Sequence, residues 1–263
     1  MVGPILIFDS GIGGLSVFEP IHSQLPHHDI YYLFDNARLP YGDLNEQELI
    51  RGCVELIIKQ VRQINASIVV VACNSASTLV LPELRKQLTI PIVGVVPAIK
   101  PAAQISKTRH IGLLATPGTV ARQYTQDLIS SFAGGCNVTL VGSSELVLIA
   151  EAKAKRQTVD HAKIADILTP INSTDLDTLV LGCTHFPLLR QEIDEALTHK
   201  VVLLDSGDAI AARVMSFIDT NENDSTDIQG TLKAGYTKEI DAGLKETLAD
   251  YGFTQLEYIA VAN

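Results

Sequence analysis

The chain has 263 residues, 46% of them apolar, enough for two domains of modest size or one large one. Thirty acidic against 20 basic residues leave a net charge of −10, which opposes nonspecific attraction to nucleic acid, and no basic stripe relieves it. No apolar run approaches the roughly 18 residues of a membrane span, and the four cysteines form no CxxC pair, so a soluble protein of a reducing cytoplasm is expected, with no membrane or nucleic-acid partner.

Short apolar runs alternate with longer amphipathic ones. A first strand at 4–8 leads into Phe8-Asp9-Ser10-Gly11-Ile12-Gly13-Gly14-Leu15-Ser16, a glycine-rich loop that opens a helix. A strand at 30–34 is followed by the turn Pro40-Tyr41-Gly42-Asp43. From 45 to 64 apolar residues recur with helical spacing and one buried stripe. The next strand, 67–72, runs into Cys73-Asn74-Ser75, and another lies at 92–95. After Val96-Pro97 the order of strand, cysteine and helix recurs: strands at 110–115, 138–141, 178–181 and 201–204, helices at 119–132, 158–171, 188–197 and 208–218. A polar loop at 221–226 and a possible strand at 231–236 close the chain. This βαβα alternation argues for an α/β fold of two similar sandwich domains with mainly parallel sheets and a site in the cleft between them. The expected division is 1–96 plus 208–263 for the first domain and 97–207 for the second.

Two segments read as copies. Ile68-Val-Val-Val-Ala-Cys73-Asn74-Ser75 and Thr178-Leu-Val-Leu-Gly-Cys183-Thr184-His185 each end an apolar strand in cysteine and small polar residues, 110 positions apart. Ligand chemistry in parallel sheets gathers at the carboxyl ends of strands, so one thiol stands at such an end in each half. Two thiols across a cleft suit an enzyme that moves a proton from one face of a carbon to the other. Cys53 instead lies on the apolar stripe of a helix and reads as core, and Cys136 follows a Gly-Gly turn. Asp9 is either a helix cap or a catalytic carboxylate. His185 is a general acid or base, a group that orients the thiol, or a helix-start histidine satisfied by backbone. Glu151 follows the apolar run 146–150 and is either a supporting group or part of a solvated helix face. The dinucleotide fingerprint fails, because Ser16 stands at the third glycine, and no P-loop lysine is present. Cys-x-His is not the spacing of common structural zinc sites, so no metal is expected.

Four ordered motifs, Asp9-Ser-Gly-Ile-Gly-Gly-Leu-Ser16, Leu39-Pro-Tyr-Gly42, Ala72-Cys-Asn-Ser-Ala-Ser77 and Leu181-Gly-Cys-Thr-His-Phe-Pro-Leu-Leu189, resemble the glutamate racemases of the aspartate/glutamate racemase family. The resemblance runs from Ile5 to about Arg213, with Ser75 in place of a common threonine and Phe186 in place of a common tyrosine. It implies cofactor-independent interconversion of L- and D-glutamate, D-glutamate supply for peptidoglycan, and a homodimer. It further implies that Cys73 is the base for the D-enantiomer and Cys183 for the L-enantiomer, assisted by Asp9 and His185. By the same similarity Asn74, Ser75 and Thr184 hold the α-amino acid end, while Ser10, Tyr41 and Gly42 meet the side-chain carboxylate. Thr116 and Thr119 line the pocket and Glu151 lends support. An aspartate racemase, a non-catalytic binding protein on the same scaffold and a thiol redox protein are the rival readings.

Overall fold

A computed structural model of the chain describes residues 3–218 and 229–261. The polar loop expected at 221–226 lies outside the described residues. The first elements are β1 (Ile5–Asp9), α1 (Leu15–Gln24), β2 (Ile30–Phe34), α2 (Glu46–Ile64), β3 (Ile68–Val71), α3 (Asn74–Gln87) and β4 (Ile92–Gly94). Then come α4 (Ile99–Ile105), β5 (His110–Ala115), α5 (Pro117–Ala121), α6 (Gln123–Phe132), β6 (Asn137–Gly142), α7 (Glu145–Ala154), α8 (His161–Asn172), β7 (Thr178–Leu181), α9 (Arg190–Ala196) and β8 (Val202–Leu204). The last are α10 (Gly207–Met215), β9 (Leu232–Tyr236), α11 (Ala242–Asp250) and β10 (Gln255–Tyr258).

The strands form two sheets, ordered β10-β9-β2-β1-β3-β4 and β6-β5-β7-β8, and every pairing is parallel. The cause is legible in β1, β2 and β3, whose residues are all buried, as strands covered on both faces must be. Side chains alternate between two cores. Ile5, Ile7, Tyr32, Phe34 and Val70 pack with residues of α1, α10 and α11, while Leu6, Phe8, Tyr31, Leu33 and Val69 pack with residues of α2 and α3. The second sheet repeats the plan: Leu114, Leu179 and Leu181 cluster with α7, α8 and α9, and Ile111, Leu113 and Val180 with α4 and α6. Cys53 is fully buried in the α2 layer.

Local signals set the helix ends. Asn45 caps α2 by accepting the Gln47 N–H at 3.0 Å, and Asn65, left-handed at φ 53°, stops it. The helix expected at 119–132 is two helices. Arg122 between them is extended, and its guanidinium donates to Ser75 O and Thr78 Oγ1 on α3, so a tertiary contact overrides the local pattern. The helix expected at 188–197 begins as a 3-10 turn, Phe186–Leu189, with Pro187 in its first turn. The chain passes between the sheets after β4 and again after β8, and Ser206 Oγ donates to Val96 O at 2.6 Å to tie the two crossings together. Strands β9 and β10 extend the first sheet beside β2, and α10 lies against α1. Among the described residues no helix is long and apolar enough to cross a membrane.

Candidate active site

The carboxyl ends of β1, β3, β5 and β7 converge between the two sheets. Ser10, Pro40, Tyr41, Gly42, Cys73, Asn74, Ser75, Thr116, Val147, Cys183, Thr184 and His185 line one small cavity there. Its volume is about 10 Å³, whereas ligand pockets commonly run to roughly 300–1,000 Å³. Both cysteines therefore face the same closed space.

Cys73 ends β3 and sits at the N-cap of α3, where Ser10 Oγ lies 3.6 Å from its sulfur. Burial, reinforced by the negative charge of Asp9, pushes the Cys73 thiol up to about 12, although the Ala76 N–H and Ser10 oppose this. Cys183 has a different neighbour. His185 Nδ1 lies 3.8 Å from its sulfur, His185 Nε2 lies 2.9 Å from Glu151 Oε1, and Glu151 Oε1 also accepts the Ile12 N–H at 2.8 Å. These contacts form a thiol–imidazole–carboxylate chain. Burial works against the charge on His185, but its hydrogen bonds to Cys183 and Glu151 hold it well above the usual histidine value. Burial likewise works to raise Glu151, yet His185 and the Ile12 N–H bring it below the usual carboxylate range. Glu151 is buried, so the reading of a solvated helix face is overturned, because α7 turns that residue inward onto the β1 loop.

Asp9 is also buried. Its Oδ1 accepts the Gly11 N–H at 2.9 Å and its Oδ2 accepts the Thr184 hydroxyl at 2.9 Å. Burial pushes its carboxyl up, against the pull of His185 and these donors. Thr184 thus joins Asp9 of one half to the cysteine loop of the other. The glycine-rich loop serves close approach. A methyl group at Gly11 would overlap Glu151 Oε1, and one at Gly13 would overlap His185 Nδ1. The N–H groups of Gly11 and Ile12 are spent on Asp9 and Glu151, so these two donors serve the protein's own carboxylates. Ser16 Oγ lies 2.8 Å from both Gly13 O and Thr184 O, fastening the loop to the Cys183 segment.

On the other wall, Ser75 Oγ lies 3.0 Å from Thr116 Oγ1 and 3.3 Å from Thr119 Oγ1. This hydroxyl cluster spans the two halves. Ser75 and Thr116 line the cavity, and Thr119 is buried behind them. Asn74 lines the cavity, and its buried Oδ1 has no hydrogen-bond partner. Tyr41 offers the cavity its ring and backbone, for its hydroxyl donates to Asp35. Gly42 approaches so closely that a methyl there would meet Thr116 Cβ at 2.6 Å. Sequence reasoning missed Val147, one of many aliphatic residues on its helix, and Asp35, which follows β2 just as the singled-out Asp9 ends β1. Among the described residues no group of three or more His, Cys, Asp or Glu side chains is arranged to hold a metal ion.

The racemase resemblance has independent support. The family model described as Asp/Glu/Hydantoin racemase matches residues 13–214. A glutamate racemase of Shewanella frigidimarina is 60% identical over 263 residues and covers 100% of both chains. Among solved structures, Escherichia coli glutamate racemase in complex with L-glutamate and the activator UDP-MurNAc-ala has a TM-score of 0.92 at 40% identity and covers 100% of both chains. Glutamate racemase isoform RacE1 from Bacillus anthracis follows with a TM-score of 0.82 at 26% identity, over 99% of this chain and 97% of that one. With two parallel sheets, a thiol at a strand end in each, and these matches along its length, the chain belongs to the Asp/Glu/hydantoin racemase family.

Proposed function

We propose that the chain interconverts L- and D-glutamate without a cofactor, by proton transfer at Cα between two cysteine thiols. The observation that carries this reading is the single cavity lined by both Cys73 and Cys183, each at a strand end and each with its own partners. In the L-to-D direction Cys183 takes the Cα proton as thiolate, and Cys73 as thiol returns one from the opposite face. No proton is gained or lost overall. A Cys73 thiol pushed up to about 12 suits the donor, and the charged His185 beside Cys183 suits a partner that passes that sulfur's proton on and off. The D-to-L direction exchanges the two roles.

The Cα proton of an amino acid is very weakly acidic, so fixed dipoles must carry the developing charge. The hydroxyls of Ser75, Thr116 and Thr184 and the Asn74 amide surround the position for the α-amino acid end. Asn74 Oδ1, which lacks a partner, fits the substrate ammonium. Ser10 and the Tyr41–Gly42 backbone stand where the side-chain carboxylate would be met. Because the cavity holds about 10 Å³, the halves 1–96 plus 208–263 and 97–207 part to admit glutamate and close to exclude water from the carbanion. A cytoplasmic homodimer supplying D-glutamate to peptidoglycan completes the proposal.

The test is proton NMR of the protein with L-glutamate in D₂O, beside Cys73→Ser and Cys183→Ser, with aspartate as comparison substrate. The expected result is deuterium at Cα and loss of optical rotation with glutamate, abolished in each variant. Equal or faster exchange with aspartate overturns the substrate assignment, since one methylene is worth only about 1–3 kcal/mol. Racemisation surviving either cysteine variant overturns the two-thiol mechanism.

A further inference from the structure

The cavity is closed by contacts of unequal strength, and one of them reaches from the β5–β6 connection to the helix that carries Cys73. Arg122 stands in an extended joint between α5 and α6, just after the turn that presents Thr116. Its Nη1 donates to Ser75 O at 2.7 Å and to Thr78 Oγ1 at 2.9 Å, both in the first turns of α3. Its Nε pairs with Glu46 at 3.3 Å, at the start of α2. One guanidinium thereby holds two helices of the first sheet's layer from the far side of the cleft, and its side chain is only 9% exposed. Two hydrogen bonds from one charged, nearly buried nitrogen are strong and geometrically demanding. A weaker fastening reaches the same stretch of chain as Glu46: Ser144 Oγ donates to Asp43 at 2.6 Å, at the surface, where water can serve both groups equally well.

We infer that Arg122 is a positioning residue that latches the cavity shut, releasing α3 when substrate enters or product leaves and locking Ser75 against Thr116 and Thr119 when it re-engages. The inference rests on the proposed racemase reading for its role in turnover, but closure itself is a property of the apo protein. Its geometry accounts for why the predicted single helix at 119–132 is broken. A continuous helix would carry residue 122 away from α3, and the extended joint aims it there. Release of Arg122 frees the Ser75 carbonyl and Thr78 together, so opening is a concerted step at one point of the rim.

The experiment measures iodoacetamide alkylation of each cysteine by peptide mass spectrometry, without glutamate, in the wild type, Arg122→Gln, Arg122→Lys and Thr78→Val. Cys73 and Cys183 are expected to react at least tenfold faster in Arg122→Gln, less so in Arg122→Lys, and by an intermediate factor in Thr78→Val. Surface-near Cys136 and core Cys53 are expected to keep their wild-type rates. In turnover, KM for glutamate rises in Arg122→Gln more than kcat falls. Unchanged alkylation of Cys73 and Cys183 in both Arg122→Gln and Thr78→Val overturns the latch, and so does a parallel rise at Cys53, which marks general loosening. The alkylation result stands or falls without reference to racemisation, so failure of the proposed activity remains distinct from failure of the latch.

Discussion

Cys73 and Cys183 end similar strands but meet different chemistry, and that difference can be titrated. Under the proposed two-thiol mechanism, loss of the donor proton from Cys73 sets the alkaline limit of turnover. Burial first, and the Asp9 charge second, push that thiol up to about 12. The kcat/KM profile is therefore expected to show no fall through the region near pH 8.5 where an ordinary thiol titrates. Because the two enantiomers have equal free energy, the profile is the same in both directions. Asp9→Asn removes a negative neighbour and moves the alkaline limb down, which a pH series of the variant checks. On the Cys183 side, Glu151→Gln takes the carboxylate from the His185 chain and is expected to lower kcat on the order of 10²-fold or more. Gly11→Ala, whose methyl overlaps the same carboxylate, produces a similar loss with Glu151 intact. At this scale the sequence exposed the thiols, Asp9 and His185, because strand ends and loop residues are marked by local pattern, whereas Glu151, inside α7, was assigned to the site only through the family resemblance. It concealed the partner of the Tyr41 hydroxyl, since nothing local to that turn specifies that Asp35, with Thr237 and Arg38 around it, would receive it.

Elements were legible in proportion to their periodicity and burial. The nine strands β1 to β9 and α2 follow the expected runs closely. Helix α11 turns only Leu244 and Leu248 inward, and β10 is an outer strand of mostly exposed residues, so neither produced a readable stripe. The break at Arg122 was invisible because its cause lies on α3. Connections also carry stability. Asp177, before β7, accepts the N–H groups of Lys107 at 2.6 Å and Thr108 at 2.9 Å and the Thr178 hydroxyl at 3.0 Å, anchoring the loop between α4 and β5. Burial works to raise its carboxyl, but these donors and Ser106 bring it to about 2. A depressed carboxylate stabilises the fold above its unfolded value and ceases to do so as pH falls through the folded one. Asp177→Ala is expected to cost about 0.5–1.5 kcal/mol at neutral pH, since water can reach the freed N–H groups, measured by denaturant unfolding. The gap to wild type closes as pH drops from about 3.8 toward about 2.

For the molecule as a whole, the proposed function works through the cleft, and the two crossings, tied by Ser206 Oγ and Val96 O, are where the proposed motion between the sheets would be absorbed. A ligand that closes the cleft binds the folded chain alone, so glutamate at 100 times its Kd is expected to stabilise it by about 2.7 kcal/mol. A thermal melt with and without glutamate checks this, and Cys73→Ser is expected to keep most of the effect. The order of strands in the first sheet has a consequence for biosynthesis. The second sheet uses one continuous stretch from β5 to β8, whereas β2 acquires its outer neighbour only from β9, some 200 residues later in the chain. On the ribosome the second sheet has all its strands in hand while the first still shows the bare edge of β2. The nascent chain carries an unpaired parallel edge until β9 is made, the interval in which a chaperone has most to protect.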